Sequence, residues 1–397
     1  MRAPVDHIFH HTPETLGAWF TRRGLPVFRA KQVLEWVYRK GVVDPAAMSN
    51  LSKRDREMLA AEMTFLSGDT LAHQVASDGT RKLLVEWGDW GGSDGATQRR
   101  SDGGGGDGEG HSLRVLGGVA GSHPDRQTEC VMIPSEDPTK VRRTACISSQ
   151  VGCPVGCRFC ASGLGGLDGN LTAGRIVEQV WRLNRLLADE AGHEVFTDAT
   201  PRISNIVFMG MGEPLANFAN VVHAVRTIAA PWGVGISARK ITISTVGMPR
   251  AIERLAEQLE LPVTLALSLH APNDELRREL IPWAEYTSIP ELLRACTAWF
   301  RKTGREITLE YILLGGVNDL PEHAQQLAGV AKSLRANINL IRYNEVEPLP
   351  FKRPGTRDVL EFQRILQARG VNAHIRASRG RDIAAACGQL RHEGAGA

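Results

Sequence analysis

Three cysteines, Cys153, Cys157 and Cys160, stand within eight residues in the run Cys153-Pro-Val-Gly-Cys157-Arg-Phe-Cys160. Thiolates at spacings of four and three residues can wrap one side of a small metal cluster, and Gly152 and Gly156 permit the sharp turns this requires. A [4Fe–4S] cluster usually takes four cysteines, so a loop of three leaves one iron open to a ligand with oxygen and nitrogen donors. The amino acid end of S-adenosylmethionine provides both. An electron passed from such a cluster to the sulfonium would break a carbon–sulfur bond and leave a 5′-deoxyadenosyl radical. A structural zinc site is the competing reading. Zinc commonly takes four protein ligands in Cys-x-x-Cys pairs, and no second pair exists.

The other cysteines are Cys130, Cys146, Cys296 and Cys387, a total of seven. An odd number in a chain without an export signal argues against a disulfide framework. Cys296 falls in LLRACTAWF, on an expected helix, and like Cys130 reads as a packing residue. Cys387 lies near the C-terminus in Ala384-Ala-Ala-Cys387-Gly388. Taken alone it is a small buried apolar residue.

The elements that must position these residues can be read along the chain. Helices are expected at Thr12–Arg23, Arg29–Tyr38 and Met48–Leu66, making a compact helical region. Strands follow from Leu71, with Thr80–Trp87 and Thr128–Pro134 as candidates. Between them lies a glycine-rich tract, Gly88 to about Gly121, which buries too little apolar surface to offset its ordering entropy. It is expected to be a long loop, with a short ordered piece at Leu113–Leu116. After Lys140, strands at Thr144–Ser149, Asn205–Met211, Lys240–Thr245, Val263–Leu269, Ile307–Leu313 and Asn337–Tyr343 alternate with helices at Thr172–Asp189, Phe218–Ala229, Pro249–Gln258, Ile289–Thr303 and Pro321–Arg335. A last helix, Thr356–Arg369, follows. Six β-then-α units fall short of the eight that close a full barrel. The expected class is therefore α/β, a partial (β/α)6 TIM-like barrel with a helical N-terminal domain and a β-strand extension. The domains are expected at 1–68, 69–140, 141–376 and a tail at 377–397.

In such sheets the site lies at the C-terminal ends of the strands. The unusual residues fall there: the cysteine loop, Gly210-Met211-Gly212-Glu213-Pro214, Ser244 with Thr245, Ser268-Leu269-His270, and Asn344. Gly212 and Glu213 offer a turn and a carboxylate that could hold an ammonium group, though Glu is also ordinary at a helix start. His270 alone reads as a satisfied histidine, and Glu129 alone as a strand-surface carboxylate.

Composition narrows the rest. The net charge of +3 neither demands nor excludes a nucleic-acid partner. Clusters at Arg22-Arg23, Arg142-Arg143, Arg277-Arg278, and Arg376 with Arg379 and Arg381 are solvated faces or phosphate contacts. No apolar stretch reaches the roughly 18 residues of a membrane helix, and Met1–His11 is polar where a signal peptide needs an apolar run. A cytoplasmic protein is expected.

The cysteine loop resembles that of the radical S-adenosylmethionine superfamily. The wider text resembles the RlmN/Cfr family of RNA adenosine methyltransferases, its RlmN branch most. The matching stretches are FRAKQV (Phe28–Val33), CISSQVGC (Cys146–Cys153), NIVFMGMGEPLAN (Asn205–Asn217), ITIST (Ile241–Thr245), ALSLHAPND (Ala266–Asp274), NLIRYN (Asn339–Asn344) and RGRDIAAACGQL (Arg379–Leu390). The resemblance implies cluster ligation by Cys153, Cys157 and Cys160. It implies S-adenosylmethionine contacts from Gly212, Glu213, Ser244, Ser268, Leu269, His270 and Asn344. It gives Cys387 the role of methyl acceptor, Cys146 that of resolving thiol, and Glu129 in TECVMIP that of proton acceptor. The tract Gly88–Gly121 is longer than the family pattern, and Ala161–Leu171 departs from it in part.

The chemistry explains the need for Cys387. The C2–H of adenine is not nucleophilic and the methyl of S-adenosylmethionine is an electrophile, so direct transfer fails. A thiolate accepts the methyl by displacement, and a radical from a second S-adenosylmethionine then activates the S-methyl group. Two S-adenosylmethionine molecules per turnover are expected. The implied substrate is an adenosine of 23S ribosomal RNA, and also of transfer RNA, modified at C2; the Cfr branch acts at C8. An electron donor such as flavodoxin or ferredoxin and a monomeric state are expected. The other enzyme reading is a radical activase or maturase acting on a protein; the non-enzymatic one is an RNA-binding protein with a structural metal.

Overall fold

The computed structural model describes residues 6–88, 126–135, 137, 139 and 141–390. The stretch read as a glycine-rich loop, with its piece at Leu113–Leu116, lies outside them apart from Gly88. Helix α1 (Pro13–Thr21) starts from Thr12, which shares a reciprocal capping box with Thr15 and is followed by Pro13, a favoured first helical residue. Helix α2 (Arg29–Tyr38) buries Ala30, Val33, Leu34, Val37 and Tyr38. Helix α3 (Lys53–Glu62) is shorter than the expected Met48–Leu66. The Ser52 side chain accepts the Asp55 N–H and sets its start, while Pro45–Ala47 forms a separate 3-10 turn. Beyond Glu62 the chain is extended, and Thr64 bridges His7.

Strands β1 (Gly68–Val75), β2 (Arg81–Trp87), β3 (Gln127–Pro134) and β4 (Arg143–Cys146) form an antiparallel run. A separate hairpin of β5 (Gln150–Gly152) and β6 (Leu167–Asn170) interrupts the order. Then α4 (Ala173–Glu190), β7 (Asn205–Phe208), α5 (Phe218–Ala229), β8 (Ile241–Thr245), α6 (Pro249–Gln258) and β9 (Thr264–Ser268) alternate. The chain continues through α7 (Asp274–Leu280), α8 (Ile289–Thr303), β10 (Ile307–Leu313), α9 (Pro321–Lys332), β11 (Ala336–Arg342), α10 (Thr356–Ala368) and β12 (Ala373–Arg376). The main sheet has the order β1-β2-β3-β4-β7-β8-β9-β10-β11-β12. From β4 onward every pairing is parallel. The partial barrel is thus as expected, with β12 added at its edge.

One apolar core runs from the N-terminal helices into the barrel. Trp181 on α4 donates its indole N–H to the Val37 carbonyl at 3.0 Å, and His7 Nε2 lies 3.1 Å from Glu178 Oε2. Alternation along strands separates core from site. On β3, Cys130 and Met132 enter the main core, whereas Val131 joins Cys146, Met211, Ala385 and Leu390 in a second cluster. On β10, Leu309, Tyr311 and Leu313 face the core, while Glu310 and Ile312 line the barrel mouth.

Candidate active site

The cysteine loop hangs from the β5–β6 hairpin. The Cys153 N–H donates to the Gly166 carbonyl at 2.7 Å, and the Cys160 N–H to the Cys157 carbonyl at 3.1 Å. Gly152 has φ 73, and a Cβ there would stand 2.1 Å from the Gly166 oxygen. No other residue fits. Cys153, Cys157 and Cys160 line one pocket and pack against one apolar cluster with Val155, Phe159 and Ile281. Burial raises all three thiols, Cys153 to about 12, so ligation must release protons. Among the described residues no three His, Cys, Asp or Glu side chains are gathered as one metal ion requires. A [4Fe–4S] cluster binds each thiolate to a different iron, and the three thiols around one pocket suit it.

The strand ends supply the opposite wall. Gly212 has φ 99, and a Cβ there would meet Gln150 at 2.6 Å. Glu213 is buried, which pushes its carboxyl pKa up. Its Oε1 accepts the Leu215 N–H at 2.9 Å and its Oε2 the Val246 N–H at 2.7 Å, tying the end of β7 to the end of β8. The Thr245 side chain also bonds this carboxylate, which leaves about one of its four acceptor positions for a ligand donor. Ser244 and Ser268 are 3.1 Å apart through their hydroxyls. His270 has φ 58, an uncommon value for a residue with a Cβ. Its Nδ1 accepts the Ile312 N–H at 3.1 Å, so the ring proton sits on Nε2. Burial lowers its pKa to about 3, and the ring serves as a neutral donor.

Not every expected residue lines that pocket. The Leu269 side chain is in the main core, leaving only its backbone for a ligand. Asn344 reaches the site through the tail: its Nδ2 donates to the Cys387 carbonyl at 3.4 Å, and its Oδ1 accepts from Arg353 at 2.8 Å. Glu129 and Cys146 stand beside the pocket, on the face that the tail covers.

The tail is fastened to the cysteine loop. The Ala161 N–H donates to the Gly388 carbonyl at 2.8 Å, and the Ser162 hydroxyl to the Leu390 carbonyl at 2.5 Å. Cys387 therefore packs in the same cluster as the three loop cysteines. Burial raises Cys387 to about 11 and Cys146 to about 12. The neighbouring Cys387 raises Cys146 further, and Arg376 pulls both down. Both are free thiols.

Two charged groups of the site, Lys82 and Glu310, were not singled out from sequence, and two more, Arg277 and Arg376, were read there only as parts of solvated or phosphate-contacting clusters. Lys82 pairs with Glu129 at 2.6 Å. Arg376 ends β12, a strand the periodicity did not reveal. Glu310 is buried at the pocket wall, its Oε1 accepting from Asn339 at 3.0 Å. Arg277 on α7 is fully buried, donates to the Val246 carbonyl at 2.5 Å, and its charge is felt at Cys157. A Glu inside the apolar strand ITLEYIL was the one available signal.

Comparison with known proteins agrees with this geometry. Residues 7–64 match the model of the ribosomal RNA large subunit methyltransferase N-terminal domain, and residues 147–328 that of the radical SAM superfamily. A crystal structure of a radical SAM methyltransferase from Sphaerobacter thermophilus superposes with a TM-score of 0.82 at 37% identity, covering 97% of this chain and 99% of that one. The fold and its three-cysteine loop are those of a radical S-adenosylmethionine enzyme. A probable dual-specificity RNA methyltransferase RlmN from Rhodopirellula baltica is 40% identical over 97% of this chain and 91% of its own length. The dual-specificity RNA methyltransferase RlmN of Dichelobacter nodosus is 39% identical over 97% and 93%. The chain belongs to the RlmN family.

Proposed function

We propose that this chain is an RNA methyltransferase that places a methyl group on C2 of an adenosine, through an S-methylcysteine at Cys387. The substrates are 23S ribosomal RNA, at the peptidyl transferase centre, and transfer RNA, which puts its work in the cytoplasm. One observation carries the reading: Cys387 is seated against the three loop cysteines and close enough to Cys146 for their charges to interact. A protein-activating radical enzyme needs no such pair of thiols.

Cys153, Cys157 and Cys160 would hold the cluster, and Gly212, Glu213, Ser244, Ser268, His270, Asn344 and the Leu269 backbone would hold S-adenosylmethionine. When bound, these groups supply the 5′-deoxyadenosyl radical that removes a hydrogen atom from the methylated Cys387. The chain's own residues do the rest. Cys387 Sγ displaces the methyl from a first S-adenosylmethionine, and Arg376 favours the thiolate that attacks. The methylene carbon joins C2 of the base. Glu129 takes the ring proton and the unpaired electron passes to an external one-electron carrier. The Cys146 thiolate then attacks Cys387 Sγ, the S–CH2 bond breaks, and the freed carbon takes up a proton to become the methyl, leaving a Cys146–Cys387 disulfide. An external donor such as flavodoxin or ferredoxin resets the thiols. The helical N-terminal region and the arginines near the tail would grip the RNA backbone of an unstacked base.

Intact-mass measurement tests this. Protein made in the presence of S-adenosylmethionine should carry one added CH2 on Cys387, and RNA from cells lacking the gene should lose the methyladenosine. Methylated product from a Cys387→Ala enzyme would sink the reading.

A further inference from the structure

Lys82 touches both halves of the release machinery. Strands β2 and β3 pair with Leu84 opposite Glu129 and Lys82 opposite Val131. Side chains two apart share a face, so Lys82, Glu129 and Val131 all point to the side covered by the tail. Lys82 Nζ lies 2.6 Å from Glu129 Oε1 and donates to the Ala384 carbonyl at 3.4 Å. Ala384 is three residues before Cys387. Lys82 is 6% exposed and Glu129 is 3% exposed.

The same β1–β2 hairpin grips the tail at further points. The Ser77 N–H donates to Asp382 Oδ2 at 2.8 Å, and the Gly380 N–H to Asp78 Oδ2 at 2.9 Å. Arg379 Nη1 stands 3.9 Å from Asp78 Oδ2. Gly380 and Ala384 are both left-handed, with φ 65 and 49, so the chain bends on either side of this grip. The hairpin next to the base strand is therefore also the latch for the segment that carries Cys387.

We propose that Lys82 is a positioning residue for the release step, resting on the function proposed above. It holds the Glu129 carboxylate ionised and aimed, and its bond to Ala384 ties that state to the docked tail. A carboxylate buried without a counter-charge takes up a proton and ceases to be a base. A paired ammonium favours the ionised form, and removing it takes that support away. An ammonium has three donors, so one group can serve the carboxylate and the tail together.

The test compares Lys82→Met, Lys82→Arg and the double variant Lys82→Met/Glu129→Gln. In K82M, Cys387 should still acquire its methyl, while release of methylated RNA falls at least about tenfold and a covalent protein–RNA species accumulates. The rising limb of the release rate should move to higher pH, because losing a paired cation raises the pH at which a buried carboxylate deprotonates. K82R should restore the limb. The double variant, whose pair is neutral, should fold and release RNA at the rate of E129Q alone. An unmoved limb, equal losses in methyl loading and release, or an added loss in the double variant would each overturn the proposal. Hydrogen exchange of the free protein tests the tail link without any reaction. Faster exchange at Ala385–Leu390 in K82M is expected even if the RNA chemistry were different, and unchanged exchange overturns the link.

Discussion

The Ala161 N–H donates to the Gly388 carbonyl at 2.8 Å, so the residue after the last loop cysteine holds the residue after Cys387. Two segments more than two hundred positions apart in sequence are thereby fixed side by side. The neighbouring bond, from the Ser162 hydroxyl to the Leu390 carbonyl, extends the same contact. The position of Cys387, the proposed methyl acceptor, is set by the loop that would carry the cluster.

Ser162→Ala tests that fastening. The hydroxyl is buried, and its loss leaves the Leu390 carbonyl without this donor, a cost of about 1–3 kcal/mol. That cost falls on tail docking, because the loop keeps its own turns. Amide exchange at Ala385–Leu390 should quicken roughly tenfold or more. Equal exchange in variant and wild type would show that the bond does not hold the tail.

Cys146→Ala should separate two steps that Cys387→Ala merges. Without Cys146, Cys387 still takes the methyl and still joins the base, but nothing resolves the sulfur link. A covalent protein–RNA adduct should build up and be visible by denaturing gel and mass spectrometry. Cys387→Ala should give neither the methylated cysteine nor the adduct. Free turnover by C146A would remove Cys146 from the mechanism.

Gly152→Ala should abolish loading of the loop without unfolding the chain. The residue is left-handed, which costs a side chain about 1–2 kcal/mol, and its Cβ would stand 2.1 Å from the Gly166 oxygen. The hairpin must open, and the cysteine loop with it. Reconstitution should give protein with native far-ultraviolet circular dichroism and little iron. Full iron content would show that the loop tolerates the shift.

How much of this was legible follows from the kind of signal each residue leaves. The strands ITIST and ITLEYIL are apolar runs bounded by turns, and their ends located the site. Strand β12 is AHIR, and helix α7 is DELRREL; each carries only two apolar residues, Ala373 with Ile375 and Leu276 with Leu280, too few to stand out as a period. With β12 went Arg376, which read as part of a surface cluster. Hairpin β5–β6 escaped for the same reason, because Leu167–Asn170 has a single apolar residue, Leu167, and alternates only in exposure. Lys82 was silent because its meaning lies in the β2–β3 register, which spans a tract of no periodicity. Glu129 and Cys130 are adjacent, and only strand alternation tells which faces the tail.

Acid stability follows from two histidines. Burial lowers His10 and His270 from 6.5 to about 3. A depressed histidine is neutral in the fold and charged in the unfolded chain below pH 6.5, so unfolding takes up protons there. Their contribution to stability is present above pH 6.5 and is lost as pH falls toward about 3. His10→Gln should therefore flatten the fall of urea-unfolding free energy between about pH 6 and 4 by close to one proton. His10 lies among His7, His11 and His223, whose charges push its pKa the same way as burial. The His10→Gln curve should run parallel to that of the parent protein above pH 6.5 and diverge below it. Curves parallel throughout would show that His10 is already charged in the fold.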